Sequence, residues 1–423
     1  MLGKIKKLLY FPIAYYFRFF AKIQLSRWKP RVIVVTGSSG KTTLLHMVET
    51  QLGNLAKYSH HANSAYGIPF DILGLKRNEL LITEWPILFL LAPFKAFKKP
   101  YPEKLYVVEA DCDRPGEGKF LASLLNPEVT LWVGSSRTHS MNFDKLVANK
   151  EFPSVEEAIA HEFGHFLEYT TRKVMVNGDS SLLTRELHRT KTQIINIKKA
   201  EKLESYELGH SNTKFKIGGK EYEINALLPE ETFYSLAMAN ELLKYLDITP
   251  VPYSNFKLPP GRSSVFSGVK NTTLIDSSYN ANLDSMTVIL NMFDKYPANN
   301  KWAVLGDMLE QGKEEKEEHE KLAELVAQVG LSNIILMGPR VSEYTYPKLK
   351  SLLGDASKIE KFTTPREILD YLNNHLKGRE IILFKGARFL EGVVEHLLAD
   401  RSDASKLCRR EKVWQIRRKQ WQI

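Results

Sequence analysis

The chain has 423 residues, of which 43% are hydrophobic and 26% are charged, so it can build a packed core and is not a disordered protein. This length predicts two or three domains, because single domains commonly run to about 100–200 residues. Its only two cysteines, Cys112 and Cys408, exclude a disulfide scaffold and a four-cysteine zinc site, and they favour a reducing, cytoplasmic compartment.

The net charge of +10 is concentrated at the two ends of the chain. Residues 1–31 carry eight Lys or Arg and no acid, and residues 401–423 carry eight against two acids. The part between them therefore has a net charge of −4. This distribution disfavours a nucleic-acid groove through the fold and predicts two adhesive basic ends.

Residues 1–31 interleave aromatic and basic side chains. Their longest apolar run, residues 8–17, is too short to span a bilayer, which needs about 20 apolar residues. The composition predicts a helix lying on an anionic membrane surface, with packing on the protein's own surface as the alternative. Residues 85–100 are again apolar, then basic, although Pro86 and Pro93 argue against a regular helix over the whole stretch. The basic segment 401–423 is predicted to be a third surface contact or a solvated tail.

A phosphate-binding loop is predicted after the β-branched run at residues 32–36. A helical pattern follows the loop, and strand, glycine loop and helix are the context that such a motif requires. The loop residues, all predicted to bind ATP, are Gly37, Ser38, Ser39, Gly40, Lys41, Thr42 and Thr43. Glycine amides can turn toward phosphate oxygens, the lysine can reach the β/γ-phosphates, and the Thr42 hydroxyl can bind Mg²⁺.

Two further residues suit a metal site near this loop. Glu109 ends an apolar strand pattern, where a carboxylate can hold Mg²⁺ beside a phosphate loop. His139 follows a second apolar strand and is predicted as a ligand of a second metal.

The segment His161-Glu162-Phe163-Gly164-His165 matches the zinc-protease pattern H-E-x-x-H. On a helix its two histidines share a face, with the glutamate as the base. The pattern fixes only three positions and no third ligand is evident, so a metalloprotease is kept only as a minor alternative.

The ordered motifs resemble those of the Mur ligase family, the ATP-dependent amide-forming enzymes of peptidoglycan synthesis. The resemblance covers about residues 32–398 and is greatest to the MurF branch, which adds D-alanyl-D-alanine. Beyond the phosphate loop, it is carried by the segments 61–69, 107–110, 114–117, 126–139, 260–262, 275–282, 304–308 and 384–388.

The resemblance implies roles for individual residues. It implies catalytic roles for Lys41, His139 and Arg262, and metal ligation by Thr42, Glu109 and His139. ATP would also be bound by Arg262, Asp276 and Asn280. The substrate would be bound by Asn63, Ser64, Asn282 and Lys385. The implied cofactors are ATP and Mg²⁺.

Several positions depart from the family pattern. Phe163 stands where the family usually has a carbamoylated lysine, which leaves the second metal site in question. Thr232 and Ser235 replace the two asparagines of the H-N-x-x-N-A segment, which puts nucleotide binding in question, and Leu283 replaces the proline that ends Y-N-A-N-P.

The predicted fold is α/β, with a phosphate-loop central domain on a mostly parallel sheet and a C-terminal Rossmann-like α/β domain. The predicted divisions are a basic aromatic helix at 1–31, the ATP-binding domain at 32–256, the ligase domain at 257–400 and a basic tail at 401–423. Because the phosphate loop begins at residue 37, the family's N-terminal UDP-recognition domain is expected to be missing.

The sequence therefore predicts an ATP-dependent ligase that works through an acyl phosphate and joins D-Ala-D-Ala or a related amine to a muramyl-peptide carboxylate. Two alternatives are a MurT-like ligase acting on a lipid-linked precursor and a non-catalytic ATP-binding membrane adaptor. The expected partners are the cell-wall precursor and a membrane surface at 1–31 and 85–100, without nucleic acid. The expected location is the cytoplasm, at the inner face of the plasma membrane.

Overall fold

The computed structural model describes residues 2–60, 62–354, 358–387, 389–421 and 423, with no side-chain detail for 2–7. His61 and Arg388, which belong to the motifs at 61–69 and 384–388, lie outside these residues. The chain forms two compact units, residues 1–202 with 233–252 and residues 203–232 with 253–423. The second unit thus includes residues 203–232, which the sequence prediction assigned to the central domain.

The first unit is built on a six-stranded parallel sheet with the order β2-β3-β1-β4-β5-β6. Its strands are β1 (Arg31–Thr36), β2 (Ala56–Tyr58), β3 (Leu105–Ala110), β4 (Val129–Trp132), β5 (Lys173–Asn177) and β6 (Gln193–Ile197). Its helices are α1 (Leu2–Trp28), α2 (Lys41–Leu52), α3 (Gly67–Leu73), α4 (Trp85–Ala96), α5 (Glu117–Leu125), α6 (Asp144–Ala148), α7 (Val155–Tyr169), α8 (Ser181–Glu186), α9 (Lys199–Lys202) and most of α10 (Thr232–Leu246). Strand β3 is buried at every position, as expected where helices cover both faces of a parallel sheet.

The second unit contains a six-stranded sheet with the order β10-β11-β15-β12-β13-β14, in which only the β10–β11 pairing is antiparallel. A three-stranded antiparallel sheet, β7-β8-β9, belongs to the same unit. The strands are β7 (Leu203–Leu208), β8 (Thr213–Ile217), β9 (Lys220–Ile224), β10 (Ser264–Gly268), β11 (Thr272–Ser277), β12 (Lys301–Gly306), β13 (Asn333–Met337), β14 (Ile359–Phe362) and β15 (Ile381–Lys385). The helices are α11 (Leu283–Asp294), α12 (Glu315–Ala327), α13 (Tyr346–Leu353), α14 (Pro365–His375), α15 (Leu390–Leu397) and α16 (Lys412–Gln420). The predicted α/β class is confirmed in both units.

Helix α4 is regular across its two prolines, which corrects the expectation of an interrupted helix. Pro86 stands in the first turn, where no backbone donor is needed. Pro93 lies inside the helix, and a proline there removes the hydrogen bond to the carbonyl four residues earlier. That carbonyl, Phe89 O, instead accepts a hydrogen bond of 2.8 Å from the Tyr16 hydroxyl of α1.

The basic C-terminal segment is folded against α15. Leu407 and Cys408 are buried, and Arg409 reaches the buried carboxylate of Glu391 at 3.0 Å. Arg410 pairs with Glu395 at 2.6 Å. The segment is therefore part of the second unit and does not extend from it as a solvated tail.

Candidate active site

The phosphate loop lies between β1 and α2, at the carboxyl edge of the parallel sheet. Gly37 and Gly40 have positive φ angles of 130° and 78°, which residues with side chains rarely adopt. A Cβ at Gly37 would lie 2.5 Å from the carbonyl oxygen of Gly134, so the loop packs backbone to backbone on the turn after β4. Ser38 strengthens this contact because its hydroxyl accepts a hydrogen bond of 2.6 Å from the Ser136 amide.

Lys41 is held in a buried, electrostatically defined position. Its ammonium group donates to the Gly37 carbonyl at 2.5 Å and pairs with the Asp111 carboxylate at 2.8 Å. Burial would lower the pKa of Lys41, but the charges of Asp111 and Glu109 outweigh it and hold the pKa above its ordinary value. The surroundings of Lys41 therefore favour its charged form at the loop. Thr42 and Thr43 follow it and are half-buried.

The loop between β2 and α3 carries Asn63 and Ser64 to the same edge of the sheet. The Asn63 side chain lies 3.5 Å from Glu109, and its backbone carbonyl accepts from the Asp111 amide at 2.8 Å. Ser64 caps the start of α3 by accepting from the Gly67 amide at 3.2 Å. Asn63, which is predicted to face the substrate, thus lies beside a predicted metal ligand, Glu109.

His139 is grouped with two aspartates that the sequence prediction did not single out. Its Nε2 atom lies 3.2 Å from the Asp113 carboxylate, and one ligand atom each of Asp111, Asp113 and His139 lie within 4.8 Å of one another. The spacing Glu109, Asp111, Asp113 directly after a buried strand is the sequence signal that could have revealed them. Burial and the neighbouring Asp111 charge raise the pKa of Asp113, against the opposing effect of His139.

Helix α7 provides structural contacts where the sequence suggested chemistry. Phe163 is fully buried in the core and packs near Trp132, with ring centroids 6.4 Å apart. Glu162 accepts the backbone amides of Gly116 and Gly118 at 2.8 and 3.0 Å, which holds the start of α5.

The H-E-x-x-H histidines do not form a zinc site within the described part of the chain. His161 and His165 contact the guanidinium of Arg189 at 3.2 and 3.0 Å. A cation at these nitrogens repels a metal ion, and burial together with the charge of Arg189 lowers the pKa of His161. The metalloprotease alternative is therefore disfavoured on geometry.

The predicted residues of the second unit lie around the carboxyl ends of β11 and β15. Lys385 is buried and donates to the Asn280 carbonyl at 2.6 Å. Burial and the nearby Arg262 cation lower the pKa of Lys385 to about 7. The Arg262 guanidinium lies 4.7 Å from the centroid of the Tyr279 ring. Asp276 is fully buried, which raises its pKa, and its Oδ1 accepts from the Ser278 amide at 3.0 Å.

Asn282 has a structural contact, because its side chain accepts from the Ser285 amide at 2.9 Å and caps α11. Asn280 is exposed, and its side chain accepts from the Ala281 amide at 2.8 Å.

Comparison with known proteins shows which proteins this chain resembles. Residues 261–388 match the family model described as Mur ligase, glutamate ligase domain. The chain is 24% identical to the UDP-N-acetylmuramoyl-tripeptide–D-alanyl-D-alanine ligase of Escherichia coli, over 85% of this chain and 74% of the relative. It is also 24% identical to the enzyme of the same name from Buchnera aphidicola subsp. Acyrthosiphon pisum, over 91% of this chain and 81% of the relative.

A solved structure gives the same result for the fold. The MurF ligase of Thermotoga maritima in complex with ADP superposes with a TM-score of 0.71 at 22% identity, over 90% of this chain and 82% of that one. The chain therefore has the Mur ligase fold.

Proposed function

We propose that this chain, which belongs with the Mur ligases, is an ATP-dependent ligase that forms an amide bond in a peptidoglycan precursor. The observation that carries the proposal is the glycine loop with its buried, ion-paired Lys41 beside Glu109, Asn63 and His139. The names of the curated relatives favour D-alanyl-D-alanine as the amine and a UDP-linked muramyl tripeptide as the carboxylate donor.

The first chemical step transfers the γ-phosphoryl group of ATP to the substrate carboxylate, which gives an acyl phosphate and ADP. Lys41 would neutralise negative charge on the transferred phosphoryl group. The backbone amides beside Gly37 and Gly40 can bind the neighbouring phosphate groups of ATP. The residues fit Mg²⁺, since the Thr42 hydroxyl and the buried Glu109 carboxylate are hard oxygen ligands. Bound there, Mg²⁺ would neutralise phosphate charge.

In the second step the amine attacks the acyl carbon and inorganic phosphate leaves. The attacking amine must be neutral. We assign Asn63 and Ser64, at the phosphate-loop edge of the sheet, to positioning the carboxylate. We assign Arg262, Asp276 and Asn280 to the nucleotide and Lys385 to the substrate, as the motif resemblance implies.

The test is amine-dependent release of phosphate from ATP with purified protein. UDP-linked muramyl tripeptide with D-alanyl-D-alanine should support turnover, and either substrate alone should not. Turnover only with a lipid-linked precursor would replace the UDP-linked substrate. ATP binding without turnover on any precursor would favour the non-catalytic adaptor.

We further propose that the first unit contacts an anionic membrane surface through helices α1 and α4. Its exposed apolar side chains, here called the apolar stripes, are Leu8, Tyr15 and Phe19 on α1 and Ile87, Leu90, Leu91, Phe94 and Phe97 on and just after α4. Within each helix their spacing of three, four or seven residues places them on one face. Phe94 is 77% and Leu90 is 70% exposed.

Lysine side chains near the apolar stripes favour an anionic lipid surface as their binding partner. Lys22 and Lys99 are exposed near the ends of the apolar stripes, and Lys95 and Lys98 are half-exposed. No helix among the described residues is long and apolar enough to cross a membrane. The rest of α1 packs on the unit, with Ala14, Phe17 and Ala21 fully buried.

Sedimentation with vesicles tests this contact. The full chain should pellet with phosphatidylglycerol-containing vesicles, and the double variant Leu90→Glu/Phe94→Glu should not. Leu352→Glu, an exposed leucine on α13, is the matched control and should pellet like the parent. Equal pelleting of all three proteins would contradict the proposal.

A further inference from the structure

Helix α1 reaches the substrate side of the candidate site through Tyr10. The Tyr10 hydroxyl donates to Oε1 of Glu117, the first residue of α5, at 2.8 Å. The same oxygen accepts from the Ala65 amide at 2.7 Å. Ala65 belongs to the segment 63–66 between β2 and α3, here called the substrate loop, which carries Asn63 and Ser64. One buried carboxylate therefore connects α1 to the residues assigned to positioning the acyl substrate.

Glu117 also joins the substrate loop to the loop after β3. Its side chain is fully buried, and its second oxygen, Oε2, accepts from the Asp113 amide at 3.1 Å. The Asn63 carbonyl in turn accepts from the Asp111 amide at 2.8 Å. A carboxylate away from water has to be supplied with donors, because an unpaired buried charge is costly. The two loops and the Tyr10 hydroxyl together supply three of them.

The side chain of Tyr10 is itself held by both loops. The guanidinium carbon of Arg114, from the loop after β3, lies 3.6 Å from the centroid of the Tyr10 ring. The Tyr66 ring, from the substrate loop, packs edge-on at 4.8 Å between centroids, and its hydroxyl donates to the Tyr10 carbonyl at 2.6 Å. A phenol that is fixed in this way presents its hydroxyl to Glu117 in a defined direction, as a residue that orients a functional loop requires.

We propose that Tyr10 is a positioning residue of this ligase, which acts through Glu117 to fix the Ala65 amide and thereby the orientation of Asn63 and Ser64 toward the acyl substrate. The proposal rests on the proposed function, because the substrate loop has this task only in a ligase. It gives α1 a part in the site in addition to the membrane contact proposed for its exposed face. Since Tyr10 acts on the substrate loop, its effect falls on the carboxylate substrate and not on ATP.

Tyr10→Phe tests the proposal because it removes only the hydroxyl. Tyr16→Phe is the matched control, since it removes a hydroxyl of the same helix that donates to the Phe89 carbonyl of α4 at 2.8 Å. We expect Tyr10→Phe to raise the KM for UDP-linked muramyl tripeptide about fivefold, the effect of one hydrogen bond, and to leave the KM for ATP unchanged. Tyr16→Phe should change neither KM. A general loss of stability would lower the amount of active enzyme without shifting one KM alone.

Hydrogen exchange followed by mass spectrometry gives a readout that does not depend on turnover. On the full chain without substrate, the amides of the substrate loop should exchange faster in Tyr10→Phe than in the parent, because the acceptor of the Ala65 amide is no longer fixed. In Tyr16→Phe they should exchange like the parent. Peptides from β12 in the second unit should exchange equally in all three proteins, and circular dichroism would verify that each is folded.

Unchanged exchange of the substrate loop in Tyr10→Phe would overturn the proposal. A KM for the muramyl tripeptide that rises equally in Tyr10→Phe and Tyr16→Phe would also overturn it. The outcome is separable from that of the ligase function. Turnover in the parent with an unchanged KM in Tyr10→Phe would contradict only the positioning role. Faster exchange in Tyr10→Phe, together with no turnover of the parent on any precursor, would contradict the ligase and not the fixing of the loop by Tyr10.

Discussion

The surroundings of Lys41 keep its side chain charged and in a fixed position, which suits the binding of an anionic ligand. Its ammonium group is buried and paired with Asp111, so its charge is preserved where water is excluded. A fixed cation stabilises the transition state most where negative charge develops during the reaction. Removing one donor that stabilises such charge commonly costs about 100–1,000-fold in rate.

We therefore expect Lys41→Met to lower amine-dependent phosphate release by about 100-fold or more. Because the variant leaves Asp111 buried without its cation, we also expect a lower melting temperature. Adding Asp111→Asn should restore the melting temperature but not the turnover. Turnover close to that of the parent in a folded Lys41→Met protein would contradict the assigned role.

Lys385 is the opposite case, because burial and Arg262 lower its pKa from 10.5 to about 7. Between these values the unfolded chain binds more protons at this residue than the folded chain does. The contribution of Lys385 to stability therefore rises with pH from about 7 to 10.5. Below about pH 7 the amine is charged in both states, and the full cost of burying it is present.

Lys385→Met removes this titration while roughly preserving side-chain volume. We expect the variant to gain melting temperature relative to the parent at pH 7 and to lose much of that gain by pH 10. Parallel thermal melts of both proteins across this range would check it. A difference between the two proteins that does not change with pH would contradict the lowered pKa.

At the scale of elements, α5 and α7 pack closely because glycine is present at residue 118. A Cβ there would lie 2.0 Å from the backbone carbonyl oxygen of Glu162, and a backbone atom cannot move aside as a side chain can. The Glu162 carboxylate meanwhile accepts the amides at the start of α5. This pair of helices supports the loop that carries Asp113.

Gly118→Ala should therefore destabilise the first unit by several kcal/mol, on the order of the largest single-residue effects. Gly330→Ala in the second unit is the control, since a Cβ there meets nothing within 4 Å. Thermal melting followed by circular dichroism compares them. Similar melting curves for the two variants would show that the helices can separate at little cost.

At the scale of the whole molecule, the charge of the C-terminal segment is used within the protein. Arg409 compensates the fully buried Glu391, and Arg410 pairs with Glu395. Two of the basic side chains of this segment are therefore used to anchor it on α15, and the proposed contact with an anionic surface is assigned to α1 and α4.

Deletion of residues 401–423 should lower the melting temperature and solubility of the protein, because it exposes the surface of α15 and leaves Glu391 without its cation. Lys419→Ser, which removes one exposed charge from the same segment, should melt like the parent. An unchanged melting temperature after the deletion would indicate a solvated tail after all.

The sequence by itself determined the α/β class, and it predicted a glycine loop between the strand at 32–36 and the helix that follows. These are local properties, because apolar runs and a glycine loop act through neighbouring residues. The domain limits and the individual roles of the site residues stay predictions.

Only the tertiary structure decided which carboxylates stand near His139, because Asp111 and Asp113 reach it through parallel strands that are distant in sequence. It also showed that Pro93 is tolerated in α4, since Tyr16 satisfies the carbonyl that the proline leaves without a donor. It also showed that the two histidines of α7 contact Arg189, which lies more than 20 residues away in the sequence, and do not form a zinc site among the described residues. Contacts between distant residues depend on how the elements pack, and neither composition nor spacing specifies that packing.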